Sequence, residues 1–195
     1  MTEARKTSIT RAFSAAAEGY DAAALVQRRV AARLAEKIAR VPLPVGARAV
    51  EIGCGTGLLT ERLLTTPPNV DWLITDIAAP MIKRCMERCR SRQRIEFRIM
   101  DGERPDLAPD SCDLIVSSLA VQWFADLGAG LDRLAACLKP GGRLMVATLG
   151  AGTFVEWRTA HAELGLTSGS PLFPSAEAVQ ALWPRGGSGT VCEER

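Results

Sequence analysis

Apolar residues recur along this chain in two spacings that alternate with each other. Between residues 25 and 38 they lie three to four positions apart, with basic residues between them, which predicts an amphipathic helix ending before Pro42. Short continuous apolar runs predict five strands, at Ala49–Ile52, Val70–Thr75, Ile95–Met100, Cys112–Ser117 and Arg143–Thr148. Helical spacing predicts further helices at Leu58–Leu64, Pro80–Cys89, Leu127–Leu138, Phe154–Leu164 and Ala176–Trp183, the last with Ser175 as N-cap.

Strands that alternate with helices are typical of a parallel sheet covered by helices on both faces. The predicted fold class is therefore α/β, a doubly wound, Rossmann-like and mainly parallel sheet, within a single domain over residues 1–195. The tail GGSGTVCEER predicts at most one short sixth strand around Val191, where the chain ends. We therefore expect the C-terminal edge of the sheet to be incomplete.

Composition excludes several function classes. The chain is 47% apolar with a net charge of +2, so it lacks the concentrated basic surface that a nucleic-acid partner requires. No segment has the apolar length of a signal peptide or a membrane span, which predicts a cytoplasmic protein without a membrane partner. Its six cysteines are then expected to be reduced, and with a single histidine the chain offers no metal-ligand set. The sequence leaves the oligomeric state open.

The segment VEIGCGTGLLTERL places three alternate glycines, Gly53, Gly55 and Gly57, between a predicted strand and a predicted helix. In a doubly wound sheet the first turn of this kind faces the ligand, and glycine lets the ligand approach the backbone. The spacing does not fit the dinucleotide pattern G-x-G-x-x-G, and no lysine follows as in a phosphate-binding P-loop. The turn therefore indicates a ligand other than a dinucleotide or a nucleoside triphosphate.

Acidic residues follow three of the predicted strands. Glu51 lies beside the glycine turn, where a carboxylate repels phosphates and favours an ammonium or sulfonium group. Asp76 ends the second strand, a position suited to accepting the hydroxyls of a ribose. Asp101 follows the third strand, where its carboxylate could accept a hydrogen bond from the exocyclic amine of a base, with Met100 and Gly102 beside the ring. The residues together indicate a nucleoside with a cationic amino-acid end and no phosphates.

The motif E-x-G-x-G-x-G, followed in order by ITD, MDG, CDLIVSS and LKPGG, resembles the class I S-adenosylmethionine-dependent methyltransferases between residues 49 and 148. The resemblance implies S-adenosylmethionine as the methyl donor, S-adenosylhomocysteine as the product and no metal. It also implies that residues 48–148 form the cofactor-binding core. The implied cofactor-binding residues are Glu51, Gly53, Cys54, Gly55 and Gly57 near the methionine end, Asp76 and Ile77 near the ribose, Asp101 and Gly102 near the adenine, and Ser117 and Leu119 on the far wall.

The flanks ITRAFSAAAEGYDAAALVQ and ATLGAGTFVEWRTAH resemble the carboxyl methyltransferases of biotin synthesis. That resemblance implies a malonyl thioester as methyl acceptor, on acyl carrier protein or on coenzyme A. Residues 1–40 would then form an N-terminal lid, and residues 149–195 a substrate-side segment. By position, Tyr20 would cap the cofactor and hydrogen-bond the acceptor carboxylate, and Arg158 would pair with that carboxylate, both as catalytic residues. The alternatives are packing for Tyr20 and a solvated helix face for Arg158. Trp123 and Phe124, at the carboxyl end of the fourth strand, would either line the substrate pocket or fill the core.

Two other functions remain open from the sequence. A methyltransferase for a quinone precursor or another small metabolite would need a general base, for which His161 is the candidate. A carboxylate acceptor needs none, because it is already ionised at neutral pH. The second alternative is a cofactor-binding module without activity.

Overall fold

The computed structural model describes residues 3–16, 19, 21, 24–65, 70–89 and 95–194. Its strands are β1 Ala47–Ile52, β2 Val70–Asp76, β3 Ile95–Ile99, β4 Cys112–Ser118 and β5 Leu138–Ala147. Its helices are α1 Glu3–Ala16, α2 Leu25–Ile38, α3 Thr60–Leu63, α4 Ala79–Arg88, α5 Leu127–Ala136, α6 Val155–Glu163 and α7 Ala176–Ala181, with one 3-10 turn at Val121–Trp123. All five predicted strands are present, with ends that differ by a few residues.

The five strands form one sheet in the order β3-β2-β1-β4-β5, and every neighbouring pair is parallel. The chain moves outward from β1 to β2 and β3, then crosses back to β4 on the other side of β1. A crevice opens where the order reverses, at the carboxyl ends of β1 and β4. The structure confirms the predicted doubly wound parallel fold, with β5 as the outermost strand on one side.

Helices cover both faces of the sheet because side chains alternate along each strand. Ala49 of β1 belongs to a buried cluster on the face covered by α2, α3 and α4, together with Leu34 and Cys85. Val50, the next residue, belongs to the cluster on the opposite face, together with Leu134 of α5. The two clusters hold β1 at the centre of the core, which fixes the glycine turn that follows it.

The start of β5 differs from the prediction, which continued the preceding helix to Leu138 and began the strand at Arg143. The helix instead ends at Ala136, and Leu138 pairs with Cys112 of β4. The register then shifts, so that Arg143 lies opposite Leu114. The prediction was wrong because the proline and glycines at 140–142 were treated as a helix stop, whereas they form an irregularity inside the strand.

The two ends of the chain also differ from the prediction. No helix was assigned to residues 3–16, which form α1. The tail does not supply a sixth strand around Val191: no described residue after 147 belongs to a strand, and the Val191 backbone N–H donates to the Gln180 side chain at 3.2 Å. The Ser175 cap is confirmed, because its hydroxyl accepts the Ala178 N–H at 3.2 Å. Among the described helices, none is both long and apolar enough to cross a membrane.

Candidate functional site

One cavity opens at the carboxyl ends of β1 to β4, beneath α1 and α2. Its floor is the glycine turn after β1, and residues of α1 and α2 complete its wall. Most of the residues predicted to bind cofactor or substrate line this cavity. They are Glu51, Gly53, Cys54, Gly55, Asp76, Ile77, Asp101, Gly102, Leu119, Trp123 and Phe124.

The glycines of the turn differ in what surrounds them, although all three have positive φ angles. A Cβ added to Gly53 would lie 2.3 Å from the Ala120 Cβ, and one added to Gly57 would lie 2.9 Å from the Cys85 sulfur. A Cβ added to Gly55 would meet no atom within 4 Å. Gly53 and Gly57 therefore allow the turn to pack against its neighbours, whereas Gly55 borders open space in the cavity.

This difference in surroundings predicts that alanine substitutions at Gly53 and Gly55 lower the free energy of unfolding by unequal amounts. Gly53→Ala and Gly55→Ala carry similar backbone strain, because φ is 72° at Gly53 and 54° at Gly55. Only Gly53→Ala forces an overlap with Ala120, so it should lower the free energy of unfolding by about 2 kcal/mol more than Gly55→Ala. Urea unfolding of the two variants measures the difference. Equal losses would show that Ala120 moves away freely.

Glu51 is buried at the end of β1, with only 1% of its surface exposed. The Thr60 hydroxyl donates to its Oε2 at 2.7 Å. Burial raises the pKa of the Glu51 carboxyl to about 8, although the hydrogen bond from Thr60 acts in the opposite direction. The side chain therefore carries a proton at neutral pH and would lose it beside a cationic ligand.

Asp76 lies at the end of β2 and ties the glycine turn to that strand. Its Oδ2 accepts the Gly55 N–H at 2.9 Å and its Oδ1 accepts the Ala78 N–H at 2.8 Å. Burial raises the pKa of Asp76, while these two backbone hydrogen bonds oppose the shift. Asp76 also lines the cavity.

Asp101 follows β3 and forms an ion pair with α1. Its Oδ2 lies 2.5 Å from Lys6 Nζ, and its Oδ1 accepts the Glu103 N–H at 3.0 Å. Lys6 also lies 2.6 Å from the buried Glu103 carboxylate. The residue between the two acids, Gly102, has to be a glycine because a side chain there would collide with Ile52. An added Cβ would lie 2.1 Å from the Ile52 Cγ2.

A second contact joins the N-terminal segment to the glycine turn. Thr56, between Gly55 and Gly57, donates its hydroxyl to Asp21 Oδ1 at 2.6 Å. Arg88 of α4 forms an ion pair with the other oxygen of Asp21. These contacts of Lys6, Glu103, Asp21 and Thr56 were not predicted from the sequence. Thr56 occupies a variable position of the glycine motif, and the other three lie outside the motifs. The spacing of Glu103, two residues after Asp101, was the one available signal.

Aromatic side chains form part of the cavity wall. Trp123 and Phe124 lie at the end of the 3-10 turn after β4, as predicted, and both line the cavity. Phe13 of α1 contacts Trp123 edge to face, with ring centroids 5.6 Å apart. Leu119 reaches the cavity with a φ of 53°, a conformation that a leucine seldom adopts.

Several predicted residues lie away from the cavity or outside the described residues. Ser117 is buried and donates its hydroxyl to the Ile52 carbonyl at 2.9 Å, so the cavity is lined by Ser118 instead. Gly57 packs against α4 and does not line the cavity. Arg158 donates to the carbonyls of residues 153 and 151, at 2.5 and 3.0 Å, and does not reach the cavity either. Tyr20 lies outside the described residues.

The two remaining reactive side chains do not provide a base at the cavity. Burial raises the pKa of the Cys54 thiol to about 11, so it stays protonated at neutral pH. The His161 Nδ1 lies 2.9 Å from the Trp157 carbonyl oxygen, and its ring contacts the Trp157 ring. His161 is on α6, outside the set of cavity-lining residues.

Comparison with known proteins assigns a family to this arrangement. Residues 49–142 match the model of a family described as a methyltransferase domain. The chain is 45% identical over 177 residues to a malonyl-[acyl-carrier protein] O-methyltransferase of Magnetococcus marinus, covering 90% of this chain and 65% of that protein. It is also 45% identical over 174 residues to the biotin biosynthesis bifunctional protein BioCD of Bordetella avium, covering 89% of this chain and 37% of that protein. The chain thus spans less than two thirds of either relative.

Solved structures share the fold at lower identity. One is the methyltransferase in a complex with a Haloferax volcanii methyltransferase activator, with a TM-score of 0.68 and 24% identity, covering 88% of this chain and 74% of that one. Another is phosphoethanolamine N-methyltransferase 1 of Haemonchus contortus, in complex with phosphoethanolamine and S-adenosylhomocysteine. Its TM-score is 0.64 at 21% identity, covering 77% of this chain and 34% of that one. The chain therefore belongs to the S-adenosylmethionine-dependent methyltransferases and has their Rossmann-like α/β fold.

Proposed function

We propose that this chain transfers a methyl group from S-adenosylmethionine to the free carboxylate of a malonyl thioester, on acyl carrier protein or coenzyme A. The observation that carries the proposal is the 45% identity to a malonyl-[acyl-carrier protein] O-methyltransferase over 177 residues. A match of that length extends beyond the cofactor-binding core into the flanks, where acceptor specificity resides in this interpretation. The product would be a methyl ester at the start of biotin precursor synthesis.

The cavity residues fit the cofactor by their chemistry. Gly55 leaves room against the backbone, and the buried Glu51 suits the cationic methionine end. Asp76 lines the cavity at the end of β2, where its carboxylate can accept from the ribose hydroxyls, and Asp101 can accept from the adenine amine. When bound, S-adenosylmethionine supplies an electrophilic methyl group on its sulfonium and leaves as S-adenosylhomocysteine. This chemistry requires no metal.

The chain's role in the reaction would be positioning rather than proton transfer. A carboxylate acceptor is ionised at neutral pH and is already a nucleophile. Among the described residues that line the cavity there is no histidine, and the Cys54 thiol stays protonated. Phe13, Trp123 and Phe124 would exclude water and hold the acceptor in line with the methyl group.

Two predicted acceptor contacts and the division of the chain remain proposals. Tyr20 would hydrogen-bond the acceptor carboxylate from the N-terminal lid, residues 1–40. Arg158, in the substrate-side segment 149–195, would first have to release the two loop carbonyls that it binds. The position of α1 over the cavity supports the lid, because Lys6, Thr10 and Phe13 line the cavity from that helix.

A methyl-transfer assay tests the acceptor. The chain is incubated with S-adenosylmethionine labelled on its methyl group and with malonyl-carrier protein, malonyl-coenzyme A, free malonate or acetyl-carrier protein. Label on the malonyl thioesters that mild base removes, with none on the acetyl thioester, is the expected result. Absence of label on every malonyl acceptor, with S-adenosylhomocysteine still bound, would contradict the proposal and favour a binding module without activity.

The rival function, methylation of a quinone precursor or similar metabolite, depends on His161 as a base. We expect His161→Ala to change the turnover of the malonyl thioester less than about twofold, because the ring is held at the Trp157 carbonyl away from the cavity. Initial rates and S-adenosylhomocysteine affinity of the variant provide the measurement. Loss of turnover with unchanged cofactor affinity would show that His161 takes part in the transfer, as the rival function requires.

A further inference from the structure

Lys6 of α1 lies between two carboxylates at the carboxyl end of β3. Its Nζ is 2.5 Å from Asp101 Oδ2 and 2.6 Å from Glu103 Oε2. Only 20% of the Lys6 side chain and 5% of the Glu103 side chain are exposed. Ion pairs shielded in this way are weakly screened by solvent, so removing one partner costs more than at a surface.

The Glu103 carboxylate depends on Lys6 for its charge compensation. Its Oε1 accepts the Asp126 N–H at 2.8 Å. Its Oε2 is buried and accepts no well-aligned hydrogen bond from the described residues, but it faces the Lys6 ammonium. Burial alone would raise the pKa of Glu103, and the contacts with Lys6 and with backbone N–H groups lower it. Without the ammonium, Glu103 and Asp101 would repel each other across Gly102.

Lys6 also belongs to the face of α1 that borders the cavity. Thr10 and Phe13 follow it at helical spacing, and all three side chains line the cavity. Phe13 packs on Ala78 and Met81 as well as on Trp123. The ion pair therefore holds one end of α1 at β3, and the aromatic contact holds the other.

We propose that Lys6 is a positioning residue for the nucleobase: by compensating Glu103, it keeps the Asp101 carboxylate directed into the cavity as the acceptor for the exocyclic amine of adenine. This inference rests on the proposed cofactor, and not on the proposed acceptor. Asp101 is then held from two sides, by the Lys6 ammonium and by the Glu103 backbone N–H at 3.0 Å. A carboxylate in that position discriminates an amine from a carbonyl oxygen, because it can accept from the first and repels the second.

Binding of two ligands tests the inference without any methyl transfer. The dissociation constants of S-adenosylhomocysteine and of its 6-oxo analogue, S-inosylhomocysteine, are measured by calorimetry. The wild-type chain should prefer the amine. Lys6→Met should weaken S-adenosylhomocysteine binding about tenfold and reduce the preference for it. Arg11→Met, which removes an exposed cation from the same helix, should change neither.

A second substitution separates charge compensation from support of the helix. Adding Glu103→Gln to Lys6→Met removes the carboxylate that Lys6 compensates, and an amide can still accept the Asp126 N–H. The double variant should therefore recover much of the affinity and the preference, and Lys6→Arg should retain both.

Three results would overturn the inference. The first is unchanged binding in Lys6→Met, and the second is an equal loss for both ligands that Glu103→Gln does not relieve. The third is an absence of preference in the wild-type chain. Failure to methylate malonyl thioesters would contradict only the proposed acceptor, because the ligand-binding measurements involve no acceptor.

Discussion

Asp76→Asn is expected to weaken S-adenosylhomocysteine binding about a hundredfold, which corresponds to about 2.7 kcal/mol. The carboxylate already accepts two backbone N–H groups, from Gly55 and Ala78. On its cavity side, the same carboxylate would accept the ribose hydroxyls. An asparagine offers only one oxygen and turns an NH2 group toward a backbone donor, so both the ribose contact and the geometry of the glycine turn are lost.

Calorimetric titration of the variant with S-adenosylhomocysteine measures this loss. Asp132→Asn is the matched control, because it makes the same change on an exposed position of α5, and it should bind like wild type. The 2′-deoxy analogue of the ligand isolates the ribose. Wild type should bind the analogue more weakly than the parent ligand, and Asp76→Asn should discriminate far less between them. A variant that folds and binds both within threefold of wild type would show that Asp76 does not hold the ribose.

The sequence was sufficient to predict the centre of the fold and the floor of the cavity. Predicted strands of four to six residues, mostly apolar, alternate with helical spacing there, so each acidic residue could be placed at the end of a particular strand. Because the ends of parallel strands meet at one edge of the sheet, Glu51, Asp76 and Asp101 were expected together. The structure places all three on one cavity.

Contacts between distant segments could not be predicted from patterns of this kind. Lys6 pairs with Asp101, which lies 95 positions further along the chain. The sequence around a lysine in a polar segment does not indicate which distant carboxylate it will contact. Helix α1 itself lacks a marked apolar stripe, because much of its inner face is Lys6, Thr10 and Phe13. Such a helix is stabilised by tertiary contacts rather than by its own pattern.

Errors of one residue arose where a strand ends and its alternation stops. Ser117 and Ser118 both follow the buried run of β4, and the sequence does not indicate which of them turns toward the cavity. The structure points Ser117 at the Ile52 carbonyl and Ser118 into the cavity. A similar ambiguity affected β5, where only the pairing of Leu138 with Cys112 shows that the strand starts before the glycines.

Affinity for S-adenosylmethionine is expected to depend on pH through Glu51. The pKa of this carboxyl is about 8 in the free protein, so it is protonated at pH 7. A cationic ligand favours the ionised form, and binding below pH 8 must then release a proton. The affinity gained from Glu51 should rise about tenfold per pH unit from pH 6 and level off above pH 8.

Glu51→Gln provides the reference, because its side chain is neutral at every pH. The ratio of the dissociation constants of variant and wild type cancels the titration of the ligand's own amino group. That ratio should be near one at pH 6 and reach about a hundred at pH 9. Thr60→Val removes a hydrogen bond that lowers the Glu51 pKa, so its affinity curve should shift to higher pH. A ratio independent of pH would contradict the assignment of Glu51 to the cationic end.

The same proton makes the free energy of unfolding depend on pH, and the direction of that dependence can be measured without ligand. The folded-state pKa lies above the value of about 4.3 expected for an unfolded chain, so the folded protein binds this proton more tightly. The contribution of Glu51 to stability is therefore full below pH 4 and is lost as the pH rises to about 8. Unfolding by urea between pH 5 and 9 should show Glu51→Gln gaining stability relative to wild type across that interval. A constant difference would mean that the buried carboxyl does not titrate there, and the pH dependence of cofactor binding would need another origin.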